Sequence, residues 1–239
     1  MEFFEVVERR RSIRRFKRAK IPEEDVRRIM EAGRAAPTDA TLHLWSAVHV
    51  VDENKKAEIA RLIGQQHVEE GSDFFVFLVD LYRLRELLRF RDRDLAEDRL
   101  ALFVFAAVDA ALAAENMALA ATALGYGSCF IGAVQNAAGE IVKLLDLPPL
   151  TYPLFGLVVG VPDETPPPRP RLPLEMLFHE GVYRRYGEGE LDAAFRVMAG
   201  VTRSGDWLRL LERYAGRGGY FEVRSREMEK LLRELEFLK

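Results

Sequence analysis

The sequence predicts an α+β domain, and three features carry that expectation. Apolar runs of strand length occupy residues 74–79, 128–134 and 154–161. Stretches with apolar residues three and four positions apart stand between these runs and follow the last of them. Residues 98–124 form the longest helical signal, rich in alanine and nearly apolar all round, which predicts a buried helix packed closely by its neighbours.

Residues 2–11 read as a short helix with Phe3, Val6 and Val7 on one face. Pro22, followed by Glu23, Glu24 and Asp25, is a helix start: proline fits the first turn, and the acids meet the positive end of the helix dipole. Val26, Ile29, Met30 and Gly33 continue that helix, and Pro37 closes it. A strand follows at 47–51 and a helix at 53–66. The unbroken apolar run at 74–79 belongs in the middle of a sheet. Gly125 caps the long helix, and Asn136 is the expected N-cap of a helix at 137–145. Residues 162–173 form an extended, proline-rich connector, and helices are expected at 188–199, 206–215 and 223–238. The organisation expected is a core of residues 1–187 with a helical C-terminal extension, 188–239, in the same domain.

The chain has 239 residues, 49% hydrophobic and 31% charged, the balance of an ordinary globular protein. A net charge of −3 argues against nucleic acid as a partner and makes any local basic cluster informative. The single cysteine, Cys129, excludes an internal disulfide and a multi-cysteine zinc site, and its apolar strand makes it a packing residue. The four histidines lack metal-ligand spacing, so no metal is expected. The opening residues lack the pattern of a signal peptide, and Asp109 interrupts the most apolar stretch well short of the roughly 20 residues a membrane span needs. A cytoplasmic protein without a membrane partner is expected. There is no Gly-x-Ser-x-Gly elbow and no P-loop. This scarcity of nucleophiles favours chemistry done by a bound cofactor rather than by a catalytic side chain.

Three segments stand out. Residues 9–18 hold seven cations, with Ile13 and Phe16 as apolar anchors among them. A solvated helix end is the ordinary reading; pinned to a core, Arg11, Ser12 and Arg14 could converge on one phosphate. In Arg169-Pro170-Arg171 the extended backbone points both arginines to one side, as a surface linker or as the second half of an anion site. Gly125-Tyr126-Gly127 follows a helix and opens a strand, the reverse of a dinucleotide-binding turn. Gly132, inside the apolar run, leaves room for a flat ligand to approach the backbone.

The order of motifs resembles the nitroreductase superfamily, and within it the NADPH-dependent flavin reductase and oxygen-insensitive nitroreductase subgroup. The matching stretches are Arg10-Arg11-Ser12-Ile13-Arg14-Arg15-Phe16, Ala35-Ala36-Pro37-Thr38, Gly64-Gln65-Gln66-His67-Val68, Glu115-Asn116, Phe130-Ile131-Gly132-Ala133, Pro153-Leu154-Phe155-Gly156 and Arg169-Pro170-Arg171-Leu172-Pro173. The resemblance covers about residues 1–185. It implies a mostly antiparallel sheet sandwiched by helices in an intertwined homodimer, with FMN at the subunit interface.

It further implies that Arg10, Arg11, Ser12 and Arg14 hold the FMN phosphate and ribityl chain, with Thr38 beside the ribityl and Arg171 completing the clamp. Gln65 would meet the polar edge of the ring, the backbone of Ile131 and Gly132 would lie against it, and Arg169 would place a cation near its pyrimidine end. Arg203 would meet the 2′-phosphate of NADPH. The implied activity is ping-pong transfer of two electrons from NADPH, or NADH, to a nitroaromatic, a quinone or free flavin. A related flavin-dependent dehalogenase or biosynthetic dehydrogenase, and a non-enzymatic flavin-binding protein, are the alternatives.

Overall fold

The computed structural model describes residues 2–239. Four strands pair antiparallel in the order β1-β2-β4-β3: β1 (Trp45–His49), β2 (Asp73–Asp80), β3 (Gly127–Ile131) and β4 (Thr151–Gly160). β2 lies inside the sheet, as its unbroken apolar run predicts. Side chains alternate across a strand, so β2 feeds two cores. Phe74, Val76 and Leu78 join a cluster with Ile59 and Ile141. Phe75 and Phe77 join the opposite cluster with Ile29 and Ala114. The helices behind these clusters are α3 (Glu53–Ile63) and α7 (Ala138–Leu144) on one face, and α2 (Glu23–Arg34) and α6 (Leu100–Ala123) on the other. The sheet is thus sandwiched, and the α+β expectation holds.

Helix α1 (Phe3–Arg9) precedes this core, α4 (His67–Glu70) leads into β2, and α5 (Tyr82–Arg89) follows β2. Neither α4 nor α5 was expected from the sequence; α5 buries none of its residues fully, although Tyr82 and Leu84 pack partly buried against the core at Leu44 and Tyr152. β1 begins two residues earlier than expected. The helix expected through residue 66 ends at Ile63, because Gly64 takes the left-handed conformation (φ 66°) that a glycine adopts without steric penalty.

Two further expectations are corrected. The strand expected to run to residue 134 stops at Ile131, and Gly132 opens a 3-10 turn, Gly132–Ala137, instead of lying deep in a strand. There the Gln135 side chain takes over pairing with β4, donating to the carbonyls of Pro153 (2.7 Å) and Leu154 (2.5 Å). This turn also moves the start of α7, whose N-cap is Ala137 rather than Asn136.

The second correction concerns α6. The helix runs through Asp109, as the signal at 98–124 predicts, but its 24 residues are long and apolar enough to cross a membrane by length and composition, which the interruption at Asp109 was expected to prevent. Asp109 is buried and accepts hydrogen bonds from the backbone N–H groups of Asp39 (2.9 Å) and Leu44 (3.3 Å), so its charge pins the loop at 38–44. Nor is the helix buried all round. Its small residues (Ala106, Ala110, Ala113, Ala114, Ala118, Ala121) face the core, while Leu100, Val104, Phe105, Val108 and Leu112 are exposed.

The chain divides into two compact units. One runs to Pro166 and includes Met228–Lys239; the other is Pro167–Glu227. The sequence reading placed its boundary near residue 187; the structure divides inside the proline-rich connector and assigns the last residues to the first unit. Leu232, Leu235 and Phe237 pack there with Leu44 and Tyr152. The second unit contains α8 (Leu174–Leu177), α9 (Glu188–Met198), α10 (Trp207–Ala215) and the first turns of α11 (Tyr220–Glu234). Asp206 caps α10 by accepting from the N–H of Arg209 (3.0 Å), and Phe195 packs edge-on against Trp207.

Candidate functional site

The basic N-terminal segment is fixed to the sheet edge by the two anchors the sequence offers. Ile13 and Phe16 are buried, and two glycines make their approach possible: a Cβ on Gly127 would stand 2.7 Å from Ile13 Cγ1, and one on Gly160 2.6 Å from Phe16 Cδ1. Ser12 bridges Ser128 in parallel, and the N–H of Ile13 donates to the Ser128 carbonyl at 2.9 Å. Further along, Lys17 N–H donates to Val161 O and Asp163 N–H to Arg15 O, each at 2.9 Å. The segment therefore lies between two backbones rather than free in solvent.

Glu164, which the sequence reading did not single out, tightens this arrangement. Its carboxylate accepts from the backbone N–H groups of Arg14 (2.6 Å) and Arg15 (3.2 Å), and those bonds, that of Arg14 foremost, hold its pKa below the usual value despite partial burial. Arg15 adds an ion pair to the same carboxylate at 3.3 Å. The backbone at Arg14 is thereby fixed.

Arg14 lines an open cavity of about 520 Å³ together with Arg15, Gln65, Gln66, His67 and Phe130. Gln65 reaches it because Gly64 turns the chain sharply and the Gln65 N–H returns to Ala60 O at 2.9 Å. The cavity adjoins the end of β3, where Ile131 is buried and Gly132 is exposed. A Cβ on Gly132 would meet open space. His67 has its Nε2 buried, without a hydrogen-bond partner among the described residues. Burial, and after it the charge of Arg14, lowers its pKa, while Glu70 and Glu164 oppose that shift.

The other arginines of the segment are engaged elsewhere. Arg10 pairs with Glu115 on α6 at 3.8 Å, and Glu115 has its pKa raised by burial in spite of that cation. The Arg11 guanidinium donates to the carbonyls of Glu8 and, at 2.9 Å, Arg10. Ser12 is partly exposed, with its carbonyl 3.5 Å from Arg14 Nη1. Thr38 stands apart from the cavity, before the 3-10 turn Asp39–Thr41 that Asp109 holds. The structure therefore brings Arg14 and Gln65 together at the end of β3, and does not gather Arg10, Arg11 and Thr38 at that cavity. In the second unit, Arg169, Arg171 and Arg203 are all exposed, and Arg171 donates to the Pro170 carbonyl at 3.2 Å.

A sandwiched antiparallel sheet with a cationic, amide-lined cavity at one edge defines an α+β protein able to hold a flat, anionic cofactor. Residues 7–161 match the nitroreductase family, and the chain belongs to it. Among its relatives is an NADPH-dependent oxidoreductase of Staphylococcus haemolyticus, 35% identical over 195 residues, covering 80% of this chain and 77% of the relative. The FMN reductase (NADPH) of Bacillus subtilis is 36% identical over 182 residues, covering 75% of this chain and 73% of its own. Among solved structures, the NADPH:FMN oxidoreductase of Vibrio harveyi, complexed with NAD+, superposes with a TM-score of 0.85 at 30% identity over 99% of this chain and 98% of its own.

Proposed function

We propose that the chain is an FMN-dependent NADPH oxidoreductase that serves small acceptors such as nitroaromatics, quinones or free flavin. The observation that carries this reading is the meeting of Arg14 and Gln65 in one cavity beside the exposed Gly132. The residues fit FMN: Gly132 leaves open space where a ring plane would approach. Bound FMN supplies the redox chemistry, taking two electrons from NADPH and yielding them to the acceptor in a second half-reaction.

The protein's part is to bind and orient. In this reading Arg14 and Ser12 hold the cofactor's polar chain, with Arg10 and Arg11 released from Glu115 and the α1 carbonyls to join them. Gln65 offers both a donor and an acceptor to the edge of the ring. Ile131 and Gly132 provide the backbone surface on which the ring lies. From the second unit we assign Arg169 to the pyrimidine end, Arg171 to the phosphate and Arg203 to the 2′-phosphate of NADPH.

The active form is a homodimer working in the cytoplasm. Its support is the row of large apolar residues on α6, typified by Val108 at 49% exposure. A row of that kind on a water-exposed helix is a protein-contact surface. Thr38, near the same helix, is assigned to the neighbouring subunit's cofactor. Steady-state kinetics test the function: initial rates with NADPH and a quinone varied together should give parallel double-reciprocal lines. Intersecting lines, or no NADPH-dependent turnover with any of the three acceptor classes, would overturn it.

A further inference from the structure

Asp109 interrupts an inner face of α6 that is otherwise mostly alanine, and it is 1% exposed. Burying a carboxylate is unfavourable, and an apolar residue of similar size would avoid that cost. Its oxygens are met by the backbone N–H groups of Asp39 (2.9 Å) and Leu44 (3.3 Å), so the carboxylate closes the loop at 38–44. Arg83 of α5 holds the far end of the same loop. Its guanidinium donates to the carbonyls of His43 and, at 2.8 Å, Trp45, and to Ser46 Oγ at 2.9 Å, while Asp80 pairs with it at 3.3 Å.

What these two side chains hold is strained. Ala40, Thr41 and His43 have φ of 45°, 58° and 51°, the left-handed region in which a side chain crowds its own backbone, a β-branched threonine most of all. Residues 39–43 are nevertheless exposed, so burial at the tip does not offset the strain. Strained backbone persists where its surroundings over-determine it, and it gathers where a particular shape is used. Thr38 stands at the start of this loop with an extended backbone (φ −134°, ψ 147°), and its side chain makes no capping bond to its own turn. The hydroxyl is left available to a ligand.

We propose that Asp109 is a positioning residue for the flavin site. It fixes the 38–44 loop, with Arg83 as the second anchor, and so sets where the Thr38 hydroxyl meets the neighbouring subunit's cofactor. This rests on the reading that assigns Thr38 to that cofactor. Two adjacent residues of α6 then serve the same partner: Val108 touches it, and Asp109 shapes the loop that reaches its flavin.

The test is a double-mutant cycle on FMN affinity, read by quenching of flavin fluorescence as the apoprotein is titrated. Thr38→Ala removes the hydroxyl and should weaken binding about fivefold. Asp109→Asn keeps the size but turns an amide NH2 toward a backbone N–H from which it cannot accept, so the loop loosens and binding falls by a similar factor. The double variant should bind no more weakly than Thr38→Ala, still about fivefold below wild type, because both changes act on one contact. Losses that multiply to about twenty-five-fold would show a carboxylate that acts independently of Thr38, and would overturn the proposal. So would an Asp109→Asn protein with wild-type affinity, or one that sediments as a monomer, which would assign the carboxylate to the subunit contact. Arg83→Met loosens the same loop from α5 and carries the same cycle if Asp109→Asn does not fold. Unchanged affinity in Thr38→Ala would instead sink the assignment of Thr38, and a wild-type protein that binds no FMN would sink the flavin reading itself.

Discussion

The two faces of α6 are built from different residues and commit to different surroundings. The inward face is almost entirely alanine, closed against the sheet and α2, with Gly33 of α2 so close that a Cβ there would stand 2.7 Å from Met117 Cγ. The outward face carries Leu100, Val104, Phe105, Val108 and Leu112, residues larger than those inside and left exposed by the chain itself. Small residues on the inner face allow close helix packing, whereas large ones on the outer face provide apolar area for a second surface. Apolar composition alone therefore does not say which face of a helix its own chain buries.

The contrast breaks most directly at the outward face. Val108→Glu places a charge in the proposed contact between subunits, and should leave a folded chain with an unchanged circular dichroism spectrum. Sedimentation should show a monomer for the variant and a dimer for the wild type, and the variant should lose flavin on gel filtration. If the variant stays dimeric, the outward face is not the subunit contact.

Ala113→Leu tests the other face. With no space at Ala113, overpacking should destabilise the fold by about 2–3 kcal/mol and lower Tm by several degrees, because the extra carbons meet a closed surface. An unchanged Tm would mean that the inward face is looser than its packing implies.

The same distinction, committed against open, separates two arginines of the N-terminal segment. Arg14 opens on the cavity, whereas Arg11 donates to the carbonyls of Glu8 and Arg10 at the end of α1. Arg14→Ala should weaken FMN binding by roughly 2 kcal/mol, about thirtyfold, with the smaller loss at Arg11→Ala. Equal losses would show that Arg11 turns into the site when the cofactor arrives.

A smaller effect is expected at Glu53. Hydrogen bonds from Lys20 and Lys56 lower its pKa from 4.5 to about 2. The depressed value means the ionised pair contributes stability above pH 4.5, and that contribution fades as pH falls toward 2. Thermal melts should show Glu53→Gln slightly less stable than wild type at pH 7, with the gap closing below pH 4.5. A gap that stays constant with pH would assign the effect to packing.

Much of this was legible before the structure. The unbroken run of β2 and the proline-and-acid start of α2 are local signals, and both elements formed as read. Arg14 and Gln65 were legible as a pair through motif order. The less legible features depend on distant residues. The 3-10 turn at Gly132 exists because Gln135 finds two carbonyls on β4, and no local pattern encodes that. Glu164 lies 150 residues from the amide it binds. The one-sided burial of α6 was hidden for a related reason, since its alanines and its large residues are equally apolar in sequence.

Anaerobic titration of the purified protein with NADPH tests the central claim most directly. The purified protein should be yellow, with a visible flavin band that bleaches in proportion to added NADPH, reaches completion at one NADPH per bound FMN, and returns when a quinone is added. A colourless protein that takes up no FMN, or a flavin band that persists under excess NADPH, would contradict it.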